Sequence, residues 1–199
     1  MKIYEVEMKL QLDADQTKLM NDWLAQHTKL EPTQTLQDYY FDNPYESFFF
    51  DSPHGFIEYV KLLRVRQAGQ QAFVTSKVRT FDEQLEAIVS CQECETQVVD
   101  GQAMMDLFLS LGYIVRLIVE KRRTVCRVGE FEVAFDELPK LGSFVEIELK
   151  DPQALPGPGI AKIHDFLKKI GFSSVKTLSR GYLNILLNPG HNFAKMLDL

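Results

Sequence analysis

The sequence predicts an α+β fold built on a large antiparallel sheet. Most segments show the alternation of polar and apolar residues that is typical of a half-buried strand. Two pairs of such segments flank short turns at Gly69 and Gly129, as expected of hairpins. Only three segments carry apolar residues at helical spacing. Sequential hairpins with few helices favour a sheet that is large enough to curl or close.

The predicted strands follow one another along the chain. Residues 43–58 are aromatic and irregular, and we leave them unassigned. The alternation in the other segments predicts strands over 2–12, 37–42, 59–67, 71–79, 90–99, 117–128, 130–136 and 144–150.

Three helices are predicted from the recurrence of apolar residues. In the first, Asp13 and Gln16 have the spacing of a capping box. Gly171 is placed to end the third, and the Pro-Gly-Pro-Gly stretch at 156–159 is expected to break the chain before it. The predicted helices span about 13–27, 102–111 and 160–170.

Length and charge narrow the class of protein. The chain of 199 residues predicts one domain, 1–199. A net charge of -6 argues against a general nucleic-acid binder, which needs a basic footprint. No apolar stretch is long enough to span a membrane. Glu5 stands where a signal peptide would be apolar, so we expect a cytoplasmic protein.

The three cysteines predict no disulfide framework. Cys91 and Cys94 form a CxxC pair, and Cys126 stands alone. A structural zinc site normally has four ligands, and no second pair is present. We therefore interpret these cysteines as small residues near a strand.

The predicted strands carry their charges on one face only. Residues two apart on a strand share a face, so in the first strand Glu5, Glu7 and Lys9 lie together, opposite apolar neighbours. The same spacing groups Arg64 with Arg66, Thr75 with Lys77, Glu93 with Glu95, Lys121 with Arg123, and Glu146 with Glu148 and Lys150, while Asp136 stands alone on its strand.

Two interpretations of the charged face remain open. It could be the solvated side of the sheet, which is common in antiparallel structures. Alternatively, three amphipathic helices cover the apolar face and the charges line the inside. Buried charges must then be paired or metal-bound. The basic residues could hold phosphate oxygens, and the glutamates could hold Mg²⁺ or Mn²⁺.

The order of these motifs resembles that of a known family. The chain opens with Glu5-Val6-Glu7-Met8-Lys9, which resembles the ExExK signature of CYTH domains, the triphosphate tunnel enzymes. Seven further matches extend over nearly the whole chain. They are Asp38 to Asp42, Leu63 to Arg66, Lys77, Glu93 with Glu95, Glu120 to Arg123, Phe135 to Glu148, and Tyr182 to Leu186.

This resemblance implies a fold and a set of roles. It implies a closed, eight-stranded antiparallel barrel with helices outside, and residues 111–148 are most similar to the class IV adenylyl cyclase branch. The implied metal ligands are Glu5, Glu7, Glu146 and Glu148. The implied catalytic residues are Glu5, Glu7, Lys9, Asp136 and Glu146. The implied phosphate-binding residues are Lys9, Arg64, Arg66, Lys77, Lys121 and Arg123, and Glu93, Glu95 and Lys150 are further tunnel residues.

The expected activity follows from the same resemblance. The leading hypothesis is conversion of ATP to cyclic AMP and pyrophosphate with Mg²⁺ or Mn²⁺. The alternatives are a triphosphatase, in which water attacks the terminal phosphorus, and a non-catalytic module that binds nucleotide or polyphosphate. A scaffold with a solvated sheet face would have no affinity for nucleotide. No nucleic-acid or membrane partner is expected, and a homodimer is left open.

Overall fold

The fold is that of an antiparallel sheet covered by helices on one face. The computed structural model describes residues 6–82, 87–139, 141–151 and 153–199, with the backbone alone for 80–82 and 87–91. Glu5 therefore lies outside the described residues.

Twelve strands and four helices are present among the described residues. The strands are β1 (Val6–Gln11), β2 (Gln34–Asp42), β3 (Phe49–Asp51), β4 (Ile57–Tyr59), β5 (Lys61–Ala68), β6 (Gln71–Asp82), β7 (Ala87–Val98), β8 (Ile114–Val128), β9 (Phe131–Leu138), β10 (Gly142–Leu149), β11 (Ser174–Leu178) and β12 (Ala194–Asp198). The helices are α1 (Ala14–His27), α2 (Gly101–Ser110), α3 (Pro156–Ile170) and α4 (Tyr182–Leu187).

Ten of the strands form one antiparallel sheet. Its order is β12-β11-β1-β10-β9-β8-β2-β5-β6-β7, and β3 and β4 form a separate hairpin. The predicted antiparallel α+β class is confirmed, but the sheet has ten strands rather than eight. Within the described part of the chain no ladder joins β7 to β12, so the predicted closure of the barrel is not confirmed.

The apolar face of one half of the sheet packs against α1 and α3. Val6 and Leu10 of β1 are buried with Ile147 of β10, and α3 covers them with Ile163 and Leu167. Burying each such side chain stabilises the fold by about 1.5–3 kcal/mol relative to exposure. Because neighbouring strand residues alternate between faces, Glu7 and Lys9 lie on the other side of the same sheet.

The other half of the sheet is covered by α2. Met105 of this helix is buried against Phe41 and Val65, and Phe108 packs edge-on to Phe41 with ring centroids 5.3 Å apart. The helices α1, α2 and α3 thus lie on the apolar side, as predicted. The short helix α4, which was not predicted, lies on the opposite side.

The helix starts follow the chemistry of their capping residues. The Asp13 carboxylate accepts a hydrogen bond from the Gln16 amide at 2.8 Å, and the Gln16 side chain accepts one from the Asp13 amide, which confirms the predicted capping box. The prediction of a break over 156–159 is wrong, since α3 begins at Pro156. Proline is favoured in the first helical turn because its missing N–H would have no partner there.

Gly159 allows α3 to approach the sheet closely. A Cβ atom at this position would lie 2.8 Å from Cγ1 of Val6 and 3.3 Å from Cδ2 of Leu149. The first contact is shorter than real Cβ atoms show, so only glycine fits without a shift. The helix is thereby held directly against β1 and β10.

The unassigned segment 43–58 contains the β3–β4 hairpin, which docks on α4. The Asn188 side chain accepts a hydrogen bond from the Ile57 amide at 2.6 Å and donates one to the Ile57 carbonyl at 2.9 Å. Tyr59 packs with Tyr182 and Leu183 of α4 in one buried cluster. None of the helices of the described residues is long and apolar enough to cross a membrane.

Candidate active site

The charged face of the sheet encloses one large cavity. Its volume is about 860 Å³, and residues from both ends of the strand order line it, from β7 to β12. The sheet therefore curls around this space. Such a volume lies within the range of about 300–1,000 Å³ that is typical of ligand sites. The lining includes all six residues predicted to bind phosphate: Lys9, Arg64, Arg66, Lys77, Lys121 and Arg123.

Carboxylates line the same cavity beside these cations. Glu7 stands directly opposite Glu148 in the β1–β10 ladder, and Lys9 stands opposite Glu146. All four line the cavity, as do the predicted tunnel residues Glu93, Glu95 and Lys150. The structure thus brings the described members of the predicted set together, and their roles toward metal or phosphate stay predictions.

One buried cluster joins β1, β8, β9 and β10. Lys9 contacts Glu7, with Nζ and Oε1 2.6 Å apart, and it also contacts Glu146. Arg123 contacts Glu146 and donates two hydrogen bonds to Asp136, from Nε at 2.6 Å and from Nη2 at 2.5 Å. These charge-assisted, bidentate bonds fix the guanidinium in the cavity wall.

The same contacts set the charge state of the cluster. Burial lowers the pKa of Lys9, but Glu146 and Glu7 outweigh it and the pKa lies above its ordinary value. Burial raises the pKa of Glu146, yet Lys9 and Arg123 hold it well below its usual range. For Lys121, burial and the Arg123 charge prevail, and the pKa falls to about 8. Lys121 is thus the cation of this cluster that loses its proton most easily.

Asp136 does not line the cavity but lies behind its wall. Its side chain is fully buried, and besides Arg123 it contacts Lys121, with Nζ and Oδ2 3.4 Å apart. Both oxygens are directed to cations rather than to the open space. We therefore interpret this predicted catalytic residue as one that positions Arg123 and Lys121.

A second cluster lies across the cavity on β2, β5, β6 and β7. Arg66 donates to both oxygens of Asp38, at 2.6 and 2.7 Å. Arg64 donates to Thr75 at 2.8 Å and to Glu95 at 3.2 Å, and its buried Nε has no hydrogen-bond partner among the described residues. Burial raises the pKa of Asp38, but Arg66 and Arg64 bring it far below its usual range. The cluster is therefore an ionised frame that fixes both arginines in the cavity wall.

The outer part of the cavity carries looser ion pairs. Lys77 lies 2.9 Å from Glu93, and Lys150 lies 2.6 Å from Glu148. Lys150 is the most exposed of the four, at 44% of its side chain. The four side chains are 18–44% exposed, so solvent screens these pairs in part.

Aromatic residues close one end of the cavity. Tyr40, Tyr59 and Tyr182 line it but are at most 7% exposed. The Nζ atoms of Lys9 and Lys121 lie 6.0 and 5.3 Å from the centroid of the Tyr182 ring. Burial raises the pKa of Tyr59 to about 12 and that of Tyr182 still further, so both hydroxyls keep their protons.

Several residues of the site had no predicted role. Asp38 was noted only as part of a motif, although it holds both arginines of β5. Arg79 continues the spacing of Thr75 and Lys77 along β6, so the alternation could have identified it. Arg180 lies in the connection before α4, where no periodic signal exists. Both Arg79 and Arg180 line the cavity.

The carboxylates of the cavity have the chemistry that a divalent cation requires. Like charges directly opposite each other destabilise a ladder, and the Glu7–Glu148 pair has that arrangement. Glu146 lies on the same face of β10, two residues before Glu148. Carboxylate oxygens are the ligands that Mg²⁺ and Mn²⁺ prefer. Among the described residues no three His, Cys, Asp or Glu side chains are already gathered as a metal site, so chemistry rather than existing geometry supports the fit.

Neither of the two cysteines whose side chains are described lines the cavity. Cys94 is exposed on β7, and Cys126 is buried in the outer apolar core, where burial raises its thiol pKa to about 11. The side chain of Cys91 lies outside the described residues.

Comparisons with known proteins agree with this geometry. The chain is 26% identical over 182 residues to the adenylate cyclase CyaB of Aeromonas hydrophila, covering 90% of this chain and 86% of that protein. Its fold is similar to a solved protein of Pyrococcus horikoshii (TM-score 0.68, 23% identity, 92% and 98% of the two chains). It is also similar to a putative adenylyl cyclase from Hippeastrum that has a dominant triphosphatase activity (TM-score 0.62, 18% identity, 93% and 94%).

The family itself is identified by a match to most of the chain. The model of the CYTH domain matches residues 4–182, which include every predicted site residue. The ordered charged strands that line the cavity lie within this range. The chain therefore belongs to the CYTH domain family.

Proposed function

We propose that this protein is a metal-dependent enzyme that binds a triphosphate in the charged cavity and converts ATP to cyclic AMP and pyrophosphate. The observation that carries the proposal is the enclosure of six predicted phosphate-binding cations, the opposed Glu7–Glu148 pair and Glu146 by one curled sheet. A solvated sheet face would have no reason to be enclosed in this way.

The charge balance of the cavity supports a metal as well as a triphosphate. Nine cationic and seven anionic side chains of the described residues line it, and Asp136 and Glu58 lie buried against those cations. The wall is therefore close to neutral. A highly anionic triphosphate would be poorly matched by such a wall alone, whereas one that brings divalent cations would be matched.

The residues have distinct parts in the proposed reaction. Arg66, Lys77 and Lys9 would bind the phosphate oxygens through charge-assisted hydrogen bonds. They would thereby hold the triphosphate in one orientation. Arg123, fixed by Asp136, would stabilise the charge that develops on the leaving pyrophosphate. Enclosure by the sheet would exclude bulk water from the reacting atoms.

Glu7, Glu146 and Glu148 would hold the divalent cation, together with Glu5, the further metal ligand that the sequence predicts. When bound, such a cation supplies Lewis acidity and lowers the pKa of the attacking hydroxyl. The name of the Aeromonas relative supports the attack of the ribose 3′-oxygen on the α-phosphorus.

A triphosphatase is the second candidate, and one feature of the cavity favours it. Tyr40, Tyr59 and Tyr182 are packed away at no more than 7% exposure. The described aromatic lining thus offers little open surface on which an adenine could stack. The activity of the Hippeastrum protein agrees with this alternative. A non-catalytic binding module is less favoured, because phosphate binding alone does not need the opposed carboxylates of Glu7 and Glu148.

The products of two reactions distinguish these functions. The protein is incubated with Mn²⁺ and either ATP or tripolyphosphate, and the products are separated by chromatography. Cyclic AMP and pyrophosphate from ATP would support the cyclase. Orthophosphate from tripolyphosphate without cyclic nucleotide would support the triphosphatase and contradict the cyclase. Unchanged substrates with measurable binding would leave only the binding module.

A further inference from the structure

Two cavity arginines outside the predicted set share one carboxylate. Arg180 lies 2.6 Å from Glu58, between Nε and Oε2, and Arg79 lies 3.6 Å from it, between Nη1 and Oε1. Both arginines line the cavity. Within the part of the chain that the structure describes, these two positive charges share the one negative charge of Glu58.

Glu58 is held rigidly in the β3–β4 hairpin. Its side chain is only 6% exposed, and Asn184 of α4 donates to its Oε1 at 2.8 Å. Asn188 fixes the backbone of the preceding residue, Ile57, by two further hydrogen bonds. The carboxylate cannot follow a moving arginine, so it determines where the guanidinium groups lie.

Arg79 has unused hydrogen-bonding capacity. Its guanidinium carbon lies 4.0 Å from the centroid of the Tyr59 ring, which fixes the plane of the group. Its Nη1 atom is buried and, at 3.6 Å from Glu58, too distant for a hydrogen bond; among the described residues it has no hydrogen-bond partner. A buried donor without a partner is costly, and an anionic oxygen in the cavity would satisfy it.

Arg79 and Arg180 lie against other aromatic rings than the central lysines do, namely Tyr59 and Phe56. Lys9 and Lys121 both lie over the Tyr182 ring, and Arg180 precedes that residue by two positions. Arg79 is stacked on Tyr59.

We propose that Arg79 and Arg180 form a second anion-binding arm of the cavity, with Glu58 as its positioning residue. The inference rests on the proposed function and deepens it. The arm binds an anionic group of an extended phosphate chain, so the site selects triphosphates over diphosphates.

The test compares two probes that cannot be hydrolysed. Calorimetry in Mn²⁺ measures the binding of methylenediphosphonate and of its three-phosphorus analogue with two methylene bridges. Arg79→Gln and Arg180→Gln should each weaken the longer probe by about ten- to 150-fold, the effect of one charged hydrogen bond. The shorter probe should change by less than about threefold, because it does not reach the arm. Arg122→Gln removes an exposed arginine that pairs with Glu137 outside the cavity, and it should change neither affinity.

The positioning role of Glu58 is tested by a double-mutant cycle. Glu58→Gln should weaken the longer probe by about fivefold or more, yet have little effect when Arg180→Gln is already present, since it acts through the arginine. Tighter or unchanged binding by Glu58→Gln, or additive losses, would overturn this role.

Failure of the inference is separable from failure of the proposed function. If the unaltered protein binds neither probe, the proposed function is wrong. If it binds both and the arginine variants lose nothing, or lose the two probes equally, the second arm is wrong and the central site stands.

Discussion

Replacing Asp136 by asparagine should destabilise the fold more than any change at the cavity surface. Asp136 is fully buried and holds Arg123 at 2.5 and 2.6 Å and Lys121 at 3.4 Å. Asp136→Asn keeps the shape of the side chain but leaves two cations facing a neutral amide. Breaking a buried ion pair on one side costs about 3–5 kcal/mol. Because Arg123 keeps its contact with Glu146, we expect the lower part of this range.

The loss is measured as a change in the unfolding transition. At about 2–4 °C per kcal/mol for a chain of this size, 3 kcal/mol corresponds to a Tm lower by about 6–12 °C. Glu137→Gln is the matched control, since this neighbour on β9 forms an exposed pair with Arg122, in which both side chains are more than 60% exposed. It should cost less than about 1 kcal/mol. Equal stability of the two variants would refute the positioning role of Asp136.

Two further predictions concern protonation and metal. Burial and the Arg123 charge lower the pKa of Lys121 to about 8, so between pH 8 and about 10.4 the unfolded chain keeps a proton that the folded protein has released. The free energy of unfolding should therefore rise with pH in this window relative to Lys121→Met, by up to about 1.4 kcal/mol per pH unit. Urea titrations at pH 7.5 and 9.5 measure this rise, and an unchanged difference between the two proteins would contradict it. Glu7→Gln should abolish Mn²⁺-dependent turnover and weaken the binding of Mn²⁺ in calorimetry. It should lower Tm by less than about 4 °C, because the Glu7 side chain is about one-third exposed. Turnover that persists in this variant or in excess chelator would count against a metal role.

Prediction from the sequence was most accurate for features that depend only on residues close together in the chain. The alternation in β1 and β10 predicts that Glu7 and Glu146 share a face with Lys9, and the structure has them on the cavity wall. The capping box at Asp13 likewise needs only four neighbouring residues.

Features that depend on contacts between distant segments could not be predicted in this way. Alternation tells which face Asp136 occupies, but not that it pairs with Arg123 and Lys121 behind the wall. The same holds for Glu58, which meets Arg180 across 122 positions of the chain. The strands β11 and β12 are five residues each, too short for a periodic pattern to stand out from a loop.

The close contact at Gly159 couples α3 directly to β1 and β10, which form one wall of the cavity. Val6 is pressed by α3 on one side of β1, while the next residue, Glu7, faces the enclosed space on the other. The wall is therefore only one strand thick, and a displacement of the helix would be passed on to the carboxylates with no intervening layer to absorb it. Gly159 thus sets the distance between α3 and β1. The position of Glu7, on which the proposed chemistry would depend, follows from that distance, although α3 contributes no charge to it.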